Sequence, residues 1–167
     1  MTIKGIKNRI IWFLVNHVYV GTKFFGIKRC LLRKLGMEIG EDTKVVGPVF
    51  CSGDLIVGRN CWLGKNLVIN GNGKVFIGDN CDIAPEVTFL TGSHKIGKKE
   101  RRAGEGYNDD IIVKEGSWIG ARSTVLSGVA ISSGAVVAAC SCVVSNIEEN
   151  SMVGGVPAKE IKKLSND

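Results

Sequence analysis

The chain has 167 residues, 44% of them hydrophobic and 23% charged, with 22 glycines, 3 prolines and a net charge of +6. That is enough for one domain with a core, and it is not the composition of a disordered or collagen-like chain. Residues 1 to 44 hold nine Lys or Arg against three acids, while residues 45 to 167 hold thirteen of each sign, and no aromatic-interleaved basic groove accompanies the surplus, which argues against a nucleic-acid partner.

Residues 1 to about 35 read as helix, with Ile3, Ile6, Ile10, Leu14 and Val18 at three- and four-residue spacing. Gly21 breaks or bends it, and a second short helix runs from about Phe24 to Leu35. The apolar run Ile10 to Val15 is cut by Asn16 and His17. It is too short to span a bilayer, and no convincing small-residue cleavage site marks it as a secretory signal. Two roles fit these basic helices. One is a cap over the open end of the remaining chain; the other is contact with an anionic membrane surface. The cap is preferred, and the two are compatible.

From about residue 39 the pattern changes. Val113, Ile119, Val125, Ile131, Val137 and Val143 fall six positions apart, and Val57-Leu63-Ile69 and Ile77-Ile83-Phe89 keep the same beat on either side of an eight-residue step. Small residues follow four positions on at Cys61, Cys81, Ser117, Ser123, Ala135 and Ser141, and glycine often follows the aliphatic directly, as at Gly58, Gly64, Gly78 and Gly120. Neither a helix nor a flat sheet has a period of six, and the short strands of a β-sandwich do not keep so strict a clock. The pattern predicts an all-β solenoid, with one bulky side chain per short strand inside and small or turn-tolerant residues at the corners.

Between Phe89 and Val113 the beat is lost for twenty-four residues, and the stretch Lys95 to Asn108 is polar, with glycines at 97, 104 and 106. This predicts a loop ejected from the solenoid, and long loops in compact repeat proteins usually carry function. Its Lys98, Lys99, Arg101 and Arg102 suit closing over a site or attracting an anionic acceptor. After Val143 the beat stops, and Gly154-Gly155-Val156-Pro157-Ala158-Lys159 leads into a short basic tail. The organisation is thus a helical cap over 1–38, a solenoid over 39–153 with its loop at 95–108, and a tail over 154–167. The six cysteines show no disulfide framework and read as reduced, mostly buried thiols of a cytoplasmic protein.

His94 stands immediately before the ejected loop, in Thr91-Gly92-Ser93-His94. A neutral imidazole can take a proton from an attacking hydroxyl or amine, so His94 is the candidate base. The other histidine, His17, lies in the N-terminal helix.

Six segments occur in order: Gly58-Arg59-Asn60, Ile77-Gly78-Asp79-Asn80, Ile83-Ala84-Pro85, Thr91-Gly92-Ser93-His94, Trp118-Ile119-Gly120-Ala121 and Gly155-Val156-Pro157-Ala158-Lys159. Over roughly Gly58 to Lys159 the chain resembles the hexapeptide-repeat acyltransferases, in the galactoside and maltose O-acetyltransferase branch. The resemblance implies a left-handed parallel β-helix with three strands per coil, a homotrimer with sites at subunit clefts, and acetyl-CoA as co-substrate with no metal required. His94 would then be the general base, and the backbone N–H of Ala121 a donor to the thioester oxygen. Trp118, Gly120, Ala121 and Ser127 would line the pantetheine channel. Ala139, Gly155, Pro157 and Lys159 would bracket the nucleotide end, with Lys159 meeting phosphate. Asn66, Asn72 and Tyr107 are the acceptor-binding candidates. The carboxylate that orients His94 is left open among Asp79, Asp82 and Glu105.

The sequence departs from the branch in places. Gly64 stands where sugar-binding members carry an asparagine, Asn72 stands where an aspartate is common, and a Thr-Lys pair is missing near Ser145-Asn146. Basic amphipathic helices replace the N-terminal extension of the maltose enzymes, which suits an acetyltransferase of polysaccharide or glycolipid assembly, cytoplasmic or peripheral at the inner membrane. The expected activity is O-acetyl transfer to a hydroxyl of a sugar or glycan precursor, by direct transfer in a ternary complex. N-acyl transfer to an amino sugar is the alternative. A solenoid that only binds is disfavoured by the retention of His94. The zinc hydratases that share this fold need three histidine ligands, and this chain has two histidines in all.

Overall fold

The computed structural model describes residues 3 to 165. Helix α1 (Ile3–Phe13) widens into a π-helical turn at Leu14–Val18, and α2 (Phe25–Lys34) comes after a bend. Ile11, Val15 and Leu32 are buried against the first coil of the solenoid. The same helices satisfy backbone groups that this coil would otherwise leave open at its edge. Asn16 donates from Nδ2 to the Val49 carbonyl at 3.0 Å and accepts the Val49 N–H at 2.9 Å. Arg29 donates to the Thr43 carbonyl at 3.2 Å, and Arg33 donates to that of Ile39. An edge occupied in this way cannot template a further strand.

The rest of the chain winds into a three-sided prism, the left-handed parallel β-helix that the repeats and their resemblance predict. One face has five parallel strands and the next has seven, of which the last is antiparallel; the third has five. Stacking keeps to the beat. On the first face Ile39, Val57, Ile77, Val113 and Ile131 lie one above another, and on the second Val45, Leu63, Ile83, Ile119, Val137 and Val153 do the same. Each side chain is buried, so the prism interior is this set of ladders.

The small residues have two jobs at the corners. Thr43, Cys61, Cys81, Ser117, Ala135 and Ser151 form one buried column where the interior narrows. Their hydroxyls also serve corner carbonyls: Thr43 donates to Gly58 at 2.7 Å, Ser117 to Ser132 at 3.1 Å and Ser151 to Glu148 at 2.6 Å. The turn outside that column needs a left-handed residue in every coil. Asp42, Asn60, Asn80, Gly116, Gly134 and Asn150 supply it, from the residue types that tolerate positive φ best.

The structure corrects several expectations. The beat does not stop at Val143; it shortens. Ile147 bridges to Ile131, and Val153, sixteen residues after Val137, adds a further coil. The short basic tail contains a strand, Ala158–Lys163, which pairs antiparallel with Ser151–Gly155. The ejected loop is a β-hairpin of Gly92–Ile96 and Ala103–Asn108, and it begins before Lys95. All six cysteines are free, but only Cys61 and Cys81 are buried, while Cys30 and Cys140 are exposed, so the thiols are not mostly buried. Among the described residues no helix is long and apolar enough to cross a membrane.

Candidate active site

The hairpin leaves the prism where the third face turns to the first, and its foot is closely tied. Thr91, fully buried, donates its N–H to the Asn70 carbonyl at 2.9 Å and its hydroxyl to the same oxygen at 3.2 Å. That hydroxyl accepts the Gly73 N–H at 3.1 Å. On the return strand the Asp109 N–H donates to the Thr91 carbonyl at 3.0 Å, and Ser127 donates its hydroxyl to that carbonyl at 2.9 Å. The eight-residue step at Ile69–Ile77 now has a purpose: its two extra residues make the bulge Gly71-Asn72-Gly73, on which the foot sits. A Cβ at Gly71, where φ is +110°, would lie 2.4 Å from Thr91 Oγ1. The Asn72 N–H donates to Asn108 Oδ1 at 2.8 Å, fixing the outgoing end of the hairpin.

His94 pairs across the hairpin with Gly106, and a bulge comes directly after it. Glycine there leaves room for the ring to lie along the partner strand, with His94 Nδ1 3.0 Å from the Gly104 carbonyl. A carbonyl oxygen can only accept, so Nδ1 donates here, and in the neutral ring Nε2 is the nitrogen with the free lone pair. Nε2 has no partner among the described residues. It is exposed beside an open depression of about 380 Å³ lined by Gly92, Ser93, His94, Gly106, Tyr107 and Asn108. The group that holds the His94 ring within this chain is therefore a backbone carbonyl, and none of the three carboxylate candidates does this. Glu105 is paired with Lys95 at 2.7 Å. Asp79 accepts from Arg59 at another corner, and Asp82 lies on the second face beside Trp62 and Trp118.

Of the acceptor candidates, Tyr107 and Asn72 sit at this depression or at its foot. Asn66 does not; it holds a left-handed corner (φ 58°) at the start of the third face, roughly one strand length or 13 Å away. Ser127 belongs to the foot of the hairpin. The other CoA candidates line a different corner, between the second and third faces. Trp118 stands outward on the second face, with Gly120 and Ala121 at the turn beyond it and Ala139 one coil above. Gly155, Pro157 and Lys159 belong to the last hairpin, where Lys159 is exposed and has no partner among the described residues. Gly120 has a packing reason of its own: a Cβ would meet the Ala139 nitrogen at 2.5 Å. Within one chain, then, His94 and this edge are separated by the width of the third face.

Another depression, about 490 Å³, lies elsewhere, between Trp12 and Asn16 of the N-terminal helices and Phe50, Cys51 and Val68 of the third face. Its one titratable group is Cys51, whose thiol burial pushes up to about 11, so it offers no acid–base chemistry at neutral pH.

The galactoside O-acetyltransferase of Escherichia coli (strain K12) is 32% identical over 164 residues, covering 97% of this chain and 80% of that protein. The chain belongs to the hexapeptide-repeat acetyltransferases. A second galactoside O-acetyltransferase, from Lactococcus lactis subsp. lactis (strain IL1403), is 30% identical over 138 residues, 81% of this acetyltransferase and 67% of its relative. Among solved structures, the hexapeptide-repeat acetyltransferase VCA0836 of Vibrio cholerae, complexed with acetyl-CoA, matches with a TM-score of 0.83 at 26% identity. That match covers 98% of this acetyltransferase and 88% of the Vibrio chain. No family model matches. The residues that sequence reasoning missed are Thr91, Gly71, Gly73 and Gly104. Thr91 stood in the quoted segment before His94 without a role of its own, the eight-residue step was the signal for Gly71 and Gly73, and nothing in a sequence marks the Gly104 carbonyl.

Proposed function

We propose that this acetyltransferase moves the acetyl group of acetyl-CoA onto a hydroxyl of a sugar or glycan precursor, with His94 as general base. The observation that carries the reading is the His94 ring, its Nδ1 proton held by the Gly104 carbonyl at 3.0 Å and its Nε2 free beside the depression. Nε2 takes the acceptor's hydroxyl proton as the oxygen attacks the thioester carbonyl. The new ester bond forms, the C–S bond breaks, and the CoA sulfur leaves with a proton returned from the imidazolium. Such a base contributes about 10²–10⁴-fold. A backbone N–H is the donor the developing oxyanion requires, and Ala121 is the candidate.

Acetyl-CoA would lie along the edge from Trp118 to Lys159. Outward small residues there leave room for the pantetheine arm, and the unpaired Lys159 ammonium suits a phosphate. Since base and edge lie on different corners of one prism, a complete site needs the hairpin of one subunit against the edge of another. A homotrimer with sites at its clefts meets that need. Asn72 and Tyr107 would contact the acceptor, with Asn66 contributed from the neighbouring subunit. The basic helices would keep the enzyme at the inner membrane face, where glycan precursors are assembled.

The test is to incubate the protein with acetyl-CoA and a panel of sugars, amino sugars and lipid-linked glycans. CoA release is measured chromatographically, because exposed Cys30 and Cys140 would confuse a thiol dye. An ester product, cleaved by alkaline hydroxylamine, is the expected result. A hydroxylamine-stable amide would replace this reading with N-acyl transfer. Sedimentation should return three times the chain mass, and a monomer at micromolar concentration would refute the shared site.

A further inference from the structure

We propose that the outer face of the N-terminal helices is an adsorption surface for anionic membranes, with Ile6, Ile10, Phe13 and Phe24 entering the lipid and Lys7 and Lys23 meeting its phosphates. Helix α1 is apolar on two faces. Ile11 and Val15 face inward and are buried, whereas Ile6, Ile10 and Phe13 are 43%, 56% and 58% exposed. The latter stand at i, i+4 and i+7, so they form one stripe, and with Arg9 they line a shallow hollow. The stripe continues past the end of the helix. The Phe13 ring lies 5.0 Å from that of His17, and Val18, Lys23 and Phe24 share the next hollow. Water is a poor neighbour for so long an apolar band, and no described part of this chain covers it.

The charge around the band names the occupant. Residues 1 to 37 carry eight Lys or Arg and no acid. Some are committed to the fold: Lys28 is buried, donating to the Gly21 carbonyl at 2.6 Å and lying 4.6 Å over the Phe25 ring. Arg29 and Arg33 pair with Glu41. Lys7, Lys23 and Lys34 remain exposed and without a partner among the described residues. A second copy of the chain offers these cations no surplus of acids, because residues 45 to 167 hold thirteen charges of each sign. Anionic headgroups above acyl chains supply both complements at once, and a basic amphipathic helix of this kind lies in the interface plane. No described helix is long and apolar enough to cross the bilayer, so the segment adsorbs. The hairpin bearing His94 leaves the third coil, only about 10 Å along the prism from the first, which keeps the proposed site near the surface.

The full-length protein is centrifuged with vesicles of phosphatidylcholine alone and of phosphatidylcholine with phosphatidylserine. Pelleting with the anionic vesicles, reversed by high salt, is expected. A cation near such a surface is worth about fivefold, so reversing two in Lys7→Glu/Lys23→Glu should weaken binding more than about tenfold. Ile10→Ser/Phe13→Ser should abolish it while leaving sedimentation mass and circular dichroism unchanged. No binding, equal binding to both vesicle types, or unchanged binding by either double variant overturns the proposal. A fall in sedimentation mass of Ile10→Ser/Phe13→Ser without vesicles also overturns it, by assigning the stripe to a contact between copies. Vesicle binding is read without acetyl transfer, so its failure is distinct from failure of the catalytic reading.

Discussion

Replacing Thr91 by valine tests whether the foot of the hairpin is held by one hydroxyl. The two side chains are close in volume and both suit a strand, so the change is chiefly the loss of Oγ1. Oγ1 donates to Asn70 at 3.2 Å and accepts from Gly73 at 3.1 Å, in a residue with no solvent exposure. The Asn70 carbonyl keeps the Thr91 N–H at 2.9 Å, so it is not orphaned. The buried Gly73 N–H is orphaned, and an unsatisfied buried donor costs about 1–3 kcal/mol. Thr91→Ser removes a methyl group instead, at about 1 kcal/mol, and keeps both hydrogen bonds. Urea midpoints at one fixed protein concentration should therefore rank the parent first, then serine, then valine. Acetyl transfer should fall in the same order, since a loosened foot misplaces His94. A valine variant as stable as the parent, or a serine variant worse than valine, would refute the reasoning.

The remaining expectations concern the edge from Trp118 to Lys159 and the corners. Gly120→Ala places a methyl 2.5 Å from the Ala139 nitrogen and 2.7 Å from the Val137 carbonyl, so it should destabilise by about 1–3 kcal/mol, read as a lower urea midpoint. Lys159→Ala should raise KM for acetyl-CoA about fivefold with kcat little changed; a rise in the acceptor's KM alone would move Lys159 off the nucleotide end. The Arg59 backbone N–H at 2.7 Å and its guanidinium hold the Asp79 carboxyl below the usual carboxylate range. A depressed native value means stability that is present above the ordinary value and lost as pH falls through the native one. Asp79→Asn should accordingly be less stable than the parent at pH 7, and the gap should close in acid.

The solenoid was legible because each beat of six is a physical unit, one inward aliphatic per strand, and the ladders reproduce it from Ile39 to Val153. It became illegible where coils change length. The sixteen-residue step from Val137 to Val153 hid the last coil, and the sequence of Ala158–Lys163, mostly exposed and polar with Ile161 as its sole large apolar residue, looked like a tail. The hairpin was hidden for a related reason. Gly92 and the glycines at 97, 104 and 106 carry no strand signal, because these strands are held by their foot and by each other and have no core to face. Lys28 shows the converse limit. Its charge reads as surface, yet the chain folds over it and gives it a carbonyl and a ring. His94 was singled out from its neighbours in sequence, while a partner for its ring was sought among carboxylates and the contact in the structure is with main chain.

The measurement that bears most directly on the central claim is acetyl transfer by His94→Ala, at saturating acetyl-CoA and with an acceptor that the parent acetylates. Loss of about 10²–10⁴ in kcat is predicted, with KM for acetyl-CoA and sedimentation mass unchanged, because the ring touches neither the foot of the hairpin nor the edge from Trp118 to Lys159. Activity within tenfold of the parent would contradict the account and require another base.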